Sequence, residues 1–308
     1  MRPLVKPNIL VSSCFFEACR YNGAYISDDF VKSLSNFVNI IKACPEVEIG
    51  LGIPRDPILI QKENDDLRLV QPSTGLDVTQ KMVEFSKNFV KNISIDGAIL
   101  KSKSPSCGVY SAKYFHKNGQ SLGKGPGFFA REVLEAFPNY PIEEEKRLLD
   151  DGIRYDFLTK IFAIADLREA FENMKDYSEL IEFHTRYKFM LMYYNQNIMR
   201  FLGRFVASSK NEDFDSVKDT YKKQFLQALN SKRKRLNHIN VLEHIFGYFS
   251  RKLNNAERRH FTEVLKLFKE DKVDLFVPLY MLKSFAIRFA DEYILKQTYL
   301  EPFPKELI

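Results

Sequence analysis

The chain has 308 residues, 45% hydrophobic and 28% charged, with a net charge of +6. That balance excludes disordered and collagen-like chains and is enough for one or two ordinary cores, while no stretch approaches the ~18 apolar residues that span a bilayer. The opening Met1-Arg2-Pro3-Leu4-Val5-Lys6-Pro7 lacks the apolar run of a signal peptide, so a cytoplasmic location with reduced thiols and no membrane partner is expected.

The first half alternates short apolar runs with helical stretches. Pro7-Asn8-Ile9-Leu10-Val11-Ser12-Ser13 predicts a strand, Asp28 to Lys42 a helix, and Val47-Glu48-Ile49-Gly50-Leu51-Gly52 a second strand. Thr79 to Asn92 predicts a helix and Ile95-Asp96-Gly97-Ala98-Ile99-Leu100-Lys101 a third strand. The pattern is that of an α/β domain with a mostly parallel sheet flanked by helices, whose ligands bind in loops leaving the carboxyl ends of strands. An acidic segment, Glu143 to Gly152, is expected to open a connecting helix, and the domain boundary is placed at residue 150.

From about Ile153 Gly and Pro become sparse, and apolar residues recur at helical spacing: Phe157, Ile161 and Ile164, then Leu191 to Phe205, Tyr221 to Leu229, Val241 to Phe249 and Val264 to Phe268. Residues 151–308 are expected to form an all-α domain. Most of the positive excess falls in this half, concentrated in Lys232, Arg233, Lys234 and Arg235 just before a helix expected to begin near Asn237. Such a run could neutralise phosphates of a nucleic acid, although solvated helix surfaces often carry one. His184, His238 and His244 lack metal-site spacing and are read as structural.

Three of the four cysteines sit among turn-forming residues: Cys14 after Ser12-Ser13, Cys44 in Cys44-Pro45-Glu46, and Cys107 in Ser104-Pro105-Ser106-Cys107-Gly108. Reduced thiols brought together by a fold are ligands for a soft metal or cluster. Structural zinc sites pair ligands as Cys-x-x-Cys knuckles, which this chain lacks, and ferredoxin-like cysteine runs are also missing. Zinc stays possible, but a three-cysteine iron-sulfur site with one iron lacking a protein ligand is favoured.

The residues also resemble a known family. Ser12-Ser13-Cys14 with Arg20-Tyr21-Asn22-Gly23, Cys44-Pro45-Glu46 with Gly50-Leu51 and Pro54-Arg55, and Lys101 to Gly108 are similar to the ordered motifs of the TudS-type thiouracil desulfidase domain. Gly123 to Arg131 resembles the family's glycine-rich loop. Phe183-His184-Thr185-Arg186, Asn237 to Phe249, Val277-Pro278-Leu279 and Tyr299 to Leu307 resemble the YbgA-type domain, and fusions of the two resemble RudS-type tRNA 4-thiouridine desulfidases.

The resemblance implies a 4Fe-4S cluster held by Cys14, Cys44 and Cys107, with Cys19 the rival of Cys44, one iron free of protein ligands, and a non-redox release of sulfide. It also implies Glu46 as the base that deprotonates water and Ser104 as a proton donor to the substrate ring. The implied partners are tRNA and a thiolated pyrimidine; the charge of Lys232, Arg233, Lys234 and Arg235 and the amino end of the helix that follows make them the expected RNA contacts. Two alternatives remain: a desulfidase of free thiouracil-type bases whose helical domain serves oligomerisation, and a catalytically silent RNA-binding protein. Asn22 stands where the family carries an acid, and the Phe15 to Cys19 segment departs from its usual sequence, so the loop beside the cysteines is reshaped.

Overall fold

A computed structural model describes residues 4–64, 66–232 and 234–308. The chain divides into two compact units, one of residues 4–165 with 303–308 and the other built on residues 166–302.

The first unit is built on a parallel sheet of β1 (Asn8–Ser12), β2 (Asn39–Ala43), β6 (Gly97–Leu100) and β9 (Ile142–Glu144), in the order β2-β1-β6-β9. Between β2 and β6 the chain forms β3 (Leu59–Glu63), β4 (Asp66–Gln71) and β5 (Leu76–Asp77); after β6 come β7 (Ala112–His116) and β8 (Ser121–Gly125). These five strands make a second sheet, ordered β5-β4-β3-β7-β8, in which only β3 and β7 run parallel. The helices are α1 (Asp29–Leu34), α2 (Pro45–Glu48), α3 (Thr79–Lys91) and α4 (Phe128–Ala136), with α5 (Asp151–Asn173) crossing from the first unit into the second.

Alternation along the parallel strands divides the core in two. Leu10, Ala98 and Leu100 pack with Met82, Val90, Phe129 and Val133 of α3 and α4, where Phe85, Phe89 and Phe129 form a ring cluster. Ile9, Val11 and Ile99 face the opposite way, toward Val31 and Leu34 of α1 and Phe157 and Ile161 of α5. Covering both faces is what an all-parallel sheet requires, because its strands have no solvent side.

The α/β reading holds, with corrections to individual elements. The stretch Asp28 to Lys42 is a short helix followed by β2, and Val47 to Gly52 is the end of α2 and a loop rather than a strand. The acidic segment begins as β9, whose Glu144 is 3% exposed, and the connecting helix opens at Asp151.

The second unit is helical, as expected: α6 (Tyr177–Ser208), α7 (Phe214–Leu229), α8 (Arg235–Gly247), α9 (Asn255–Lys269), α10 (Phe276–Arg288) and α11 (Glu292–Leu295). Phe171, Phe183, Tyr187, Tyr221 and Phe225 interlock as one aromatic core. Within α6 Asn195 leaves the helical region at φ −157°, ψ 99°, and its side-chain oxygen caps the continuation by accepting from the amides of Asn197 and Ile198. No helix among the described residues is long and apolar enough to cross a membrane.

Candidate active site

In the parallel sheet β2 lies on one side of β1 and β6 on the other, so the strand order, though not the strand direction, reverses between β1 and β6. At such a switch point the loops leaving the two strands part and open a crevice at their carboxyl ends. Cys14 follows β1 there, Cys44 follows β2, and Cys107 lies in the loop after β6. All four cysteines are free thiols.

The thiols form one electrostatic group. Burial, followed by Cys44, pushes the Cys14 thiol up to about 12, against the pull of Lys101 and Arg20. Cys19 is likewise pushed up to about 12, first by burial, then by Cys44, which is hydrogen-bonded to it, and by Cys14. Cys107 is raised most firmly by burial; the Ser12 hydroxyl hydrogen-bonded to its sulfur works in the opposite direction, and Cys14, Glu46 and Cys44 add to the rise. Cys44 is thus the neighbour shared by the other three thiols. Its sulfur also contacts the Cys19 carbonyl at 3.7 Å.

Buried thiols with cations beside them are a donor set that releases its protons to a bound metal, whose charge favours the thiolates. Among the described residues, no three His, Cys, Asp or Glu side chains close around a point suited to a single metal ion. A polynuclear cluster takes each thiolate on a different metal atom, and cysteine thiols are the donors such a cluster uses. The residues present fit such a group.

Glu46 stands in the first turn of α2, two residues past Cys44. Its Oε1 accepts from the Ser106 hydroxyl at 3.0 Å, and its Oε2 accepts from Arg55 Nε at 2.9 Å and Nη2 at 2.7 Å. The carboxylate is therefore aimed by partners from two loops. Ser104 Oγ accepts from the amides of Ser106 at 3.2 Å and Cys107 at 3.0 Å, a local turn that shapes the Cys107 loop and leaves the hydroxyl proton as a donor.

Carboxylates from β9 and the residue after it complete the frame. Glu144 Oε1 accepts from the amides of Val109, Tyr110 and Ser111 at 2.8, 2.9 and 3.0 Å and from the Ser111 hydroxyl at 2.7 Å. Glu145 accepts from Lys101 Nζ, the Ser102 amide and the Ser102 hydroxyl at 2.6, 2.7 and 2.6 Å. Lys101, an electrostatic neighbour of Cys14, is thereby anchored. Arg55 and Ser106 lie inside the motifs quoted above, but nothing in the sequence marks them, Glu144 or Glu145 as partners of the site.

The expected RNA-contact residues separate. Lys232 and Lys234 are exposed, and Arg233 lies outside the described residues. Arg235 is engaged internally: it donates to the carbonyls of Phe268 and Val273 at 2.7 and 2.9 Å, pairs with Asp271 at 2.7 Å and lies 4.0 Å over the Phe268 ring. The histidines have ordinary partners, His184 with Tyr221, His238 with Tyr299 and His244 with the Asn240 carbonyl.

The first unit is thus an α/β protein whose thiols gather in the loops at the carboxyl ends of a parallel sheet, with a carboxylate held beside them by Arg55 and Ser106. The 2-thiouracil desulfurase family model matches residues 9–145, and the model of a family of unknown function, DUF1722, matches residues 188–304. The chain belongs to the 2-thiouracil desulfurase family through its first unit and carries a DUF1722 region in its second. The uncharacterized protein YbbK of Bacillus subtilis (strain 168) is 32% identical over 154 residues, covering 46% of this chain and 98% of that protein. The uncharacterized protein YbgA of Escherichia coli (strain K12) is 27% identical over 149 residues, covering 48% of this chain and 88% of that protein. Among solved structures, the 4Fe-4S-dependent thiouracil desulfidase TudS is 27% identical, with a TM-score of 0.38, covering 49% of this chain and 98% of that one.

Proposed function

We propose that this protein is a desulfidase that converts 4-thiouridine in tRNA to uridine, exchanging the thiocarbonyl sulfur for oxygen from water without net oxidation or reduction. The observation that carries the reading is the convergence of Cys14, Cys44 and Cys107 with a carboxylate, Glu46, held by Arg55 and Ser106. Cys14, Cys44 and Cys107 would hold a 4Fe-4S cluster with one iron free of protein ligands. Cys44 is preferred to Cys19 as the third ligand because the turn it opens, fixed by Pro45, also carries Glu46.

A bound cluster would supply a Lewis acid for the substrate's sulfur. The remaining chemistry belongs to side chains. Glu46 accepts a proton from the water that attacks the carbon bearing sulfur, the hydroxyl of Ser104 donates to the pyrimidine ring, and sulfide departs as the carbonyl forms. Water supplies the oxygen and the protons, so the exchange balances with no electron donor or acceptor.

The exposed Lys232 and Lys234 favour a polyanionic substrate over a free base. Loss of the near-ultraviolet absorbance of 4-thiouridine in tRNA, followed anaerobically with reconstituted protein, tests the reading. Turnover of tRNA that weakens in a Lys232→Glu, Lys234→Glu double variant supports it. Equal turnover of 4-thiouracil and tRNA in both proteins points instead to a free-base desulfidase.

A further inference from the structure

We infer that Arg55 is the positioning residue of this site: one buried guanidinium fixes the aim of the Glu46 carboxylate and ties it to the loop that carries Cys19 and Tyr21. The inference rests on the desulfidase reading for its kinetic consequence, though not for its structural one.

Arg55 reaches the site on the loop between α2 and β3, and its side chain is only 4% exposed. Nε and Nη2 engage a single Glu46 oxygen, Oε2, at 2.9 and 2.7 Å. Nη1 donates to the carbonyls of Cys19 and Gly52, both at 3.0 Å, and the Arg55 amide donates to the Tyr21 carbonyl at 2.8 Å. Four of the five bonds use the planar fork of the guanidinium. A lysine ammonium carries the same charge but has three donors on one atom and cannot span these acceptors at once.

The arrangement matters because each partner has a separate job. The Cys19 to Tyr21 segment follows Cys14, and the Ile26 amide returns to the Cys14 carbonyl at 2.7 Å, so this loop closes on the backbone of the residue that carries the first thiol. Glu46 belongs to the turn begun by Cys44. Gly50 and Gly52, at φ +88° and +72°, let the chain turn sharply enough to bring Arg55 back over Glu46. Arg55 therefore sets the distance between the carboxylate and the thiol loops, and with it the position from which Glu46 can reach an attacking water. Misplacing a catalytic group by about 1 Å costs on the order of 100-fold in rate.

The test compares wild type with Arg55→Lys and Arg55→Ala in two readouts. In the iron-free protein, the rate of alkylation at Cys19 and at Cys107 is measured by mass spectrometry. In the reconstituted protein, iron and sulfide content, kcat and KM on 4-thiouridine tRNA are measured with and without added guanidinium. The expected result is faster alkylation of Cys19 with Cys107 unchanged, full iron and sulfide content in Arg55→Lys, and kcat lower by about 100-fold with KM within about twofold. Guanidinium is expected to restore part of kcat in Arg55→Ala. Wild-type alkylation rates in both variants, or loss of iron from both with no guanidinium rescue, would overturn the inference. A wild-type protein that holds its iron but releases no sulfide defeats the desulfidase reading, whereas alkylation still decides the role of Arg55.

Discussion

At the scale of single residues, the site is organised as much by carboxylates that do no chemistry as by the thiols. Glu144 satisfies three consecutive amides and a hydroxyl with one oxygen, and it is 3% exposed. Removing it leaves those amides without a partner inside the fold, each unsatisfied group costing about 1–3 kcal/mol. Glu144→Ala is expected to lower the stability of the first unit by several kcal/mol, measured as the shift of its urea midpoint, and Glu144→Gln, which keeps an acceptor oxygen, is expected to lose less. An unchanged midpoint in the alanine variant would contradict this role. Cys14, Cys44, Cys107 and Glu46 were legible in the sequence because turn residues and ordered motifs mark them. Glu144 and Glu145 were not, because a run of three glutamates reads as the opening turn of the connecting helix; only the pairing of β9 with β6 shows that it enters the sheet.

Among elements, the decisive contact is between the amino end of α4 and the Cys107 loop. The amides of Gly127, Phe128 and Ala130 donate to the carbonyls of Gly108, Pro105 and Ser106 at 2.7, 3.1 and 3.0 Å. A Cβ at Gly127 would lie 2.5 Å from the Ser106 carbonyl oxygen and 2.6 Å from that of Pro105, both backbone atoms that cannot swing aside. Gly127→Ala is therefore expected to displace the Cys107 loop and to raise the alkylation rate of Cys107, which is buried in the native protein. An alkylation rate equal to wild type would contradict it. The glycines of this segment stood out in the sequence, but the purpose of Gly127, the approach of α4 to the Cys107 loop, is a tertiary fact. The second sheet was illegible for a related reason. Strands such as Leu59–Glu63 and Ser121–Gly125 are short and polar, the latter largely exposed, and they are specified by their pairing more than by their own pattern.

For the molecule as a whole, the two units present different chemistry. The helical unit holds a titratable group whose folded and unfolded states differ: burial, with a smaller contribution from Lys188, lowers His184 from 6.5 to about 4, and its ring pairs with Tyr221. The native state therefore resists a proton that the unfolded chain accepts, so stability is full above pH 6.5 and falls as pH drops from 6.5 toward 4. The loss is at most about 3 kcal/mol, and below pH 4 it levels off. His184→Gln should flatten the difference between urea midpoints at pH 7 and pH 4.5 by a corresponding amount. An identical pH profile in the variant would contradict this. The all-α nature of this unit was plain from helical spacing, whereas the break at Asn195 was hidden because apolar periodicity continues on either side of it.

The central claim is hydrolysis at a carbon-sulfur bond by a carboxylate poised beside three thiols. It is tested most directly by incubating the reconstituted protein anaerobically with thiolated tRNA in oxygen-18 water, with no electron donor or acceptor added. The account predicts sulfide and oxygen-18 uridine in equal amounts from wild type, and at least a 100-fold slower reaction in Glu46→Gln. Sulfide that forms only when a reductant is supplied, or a product without the heavy oxygen, would contradict it.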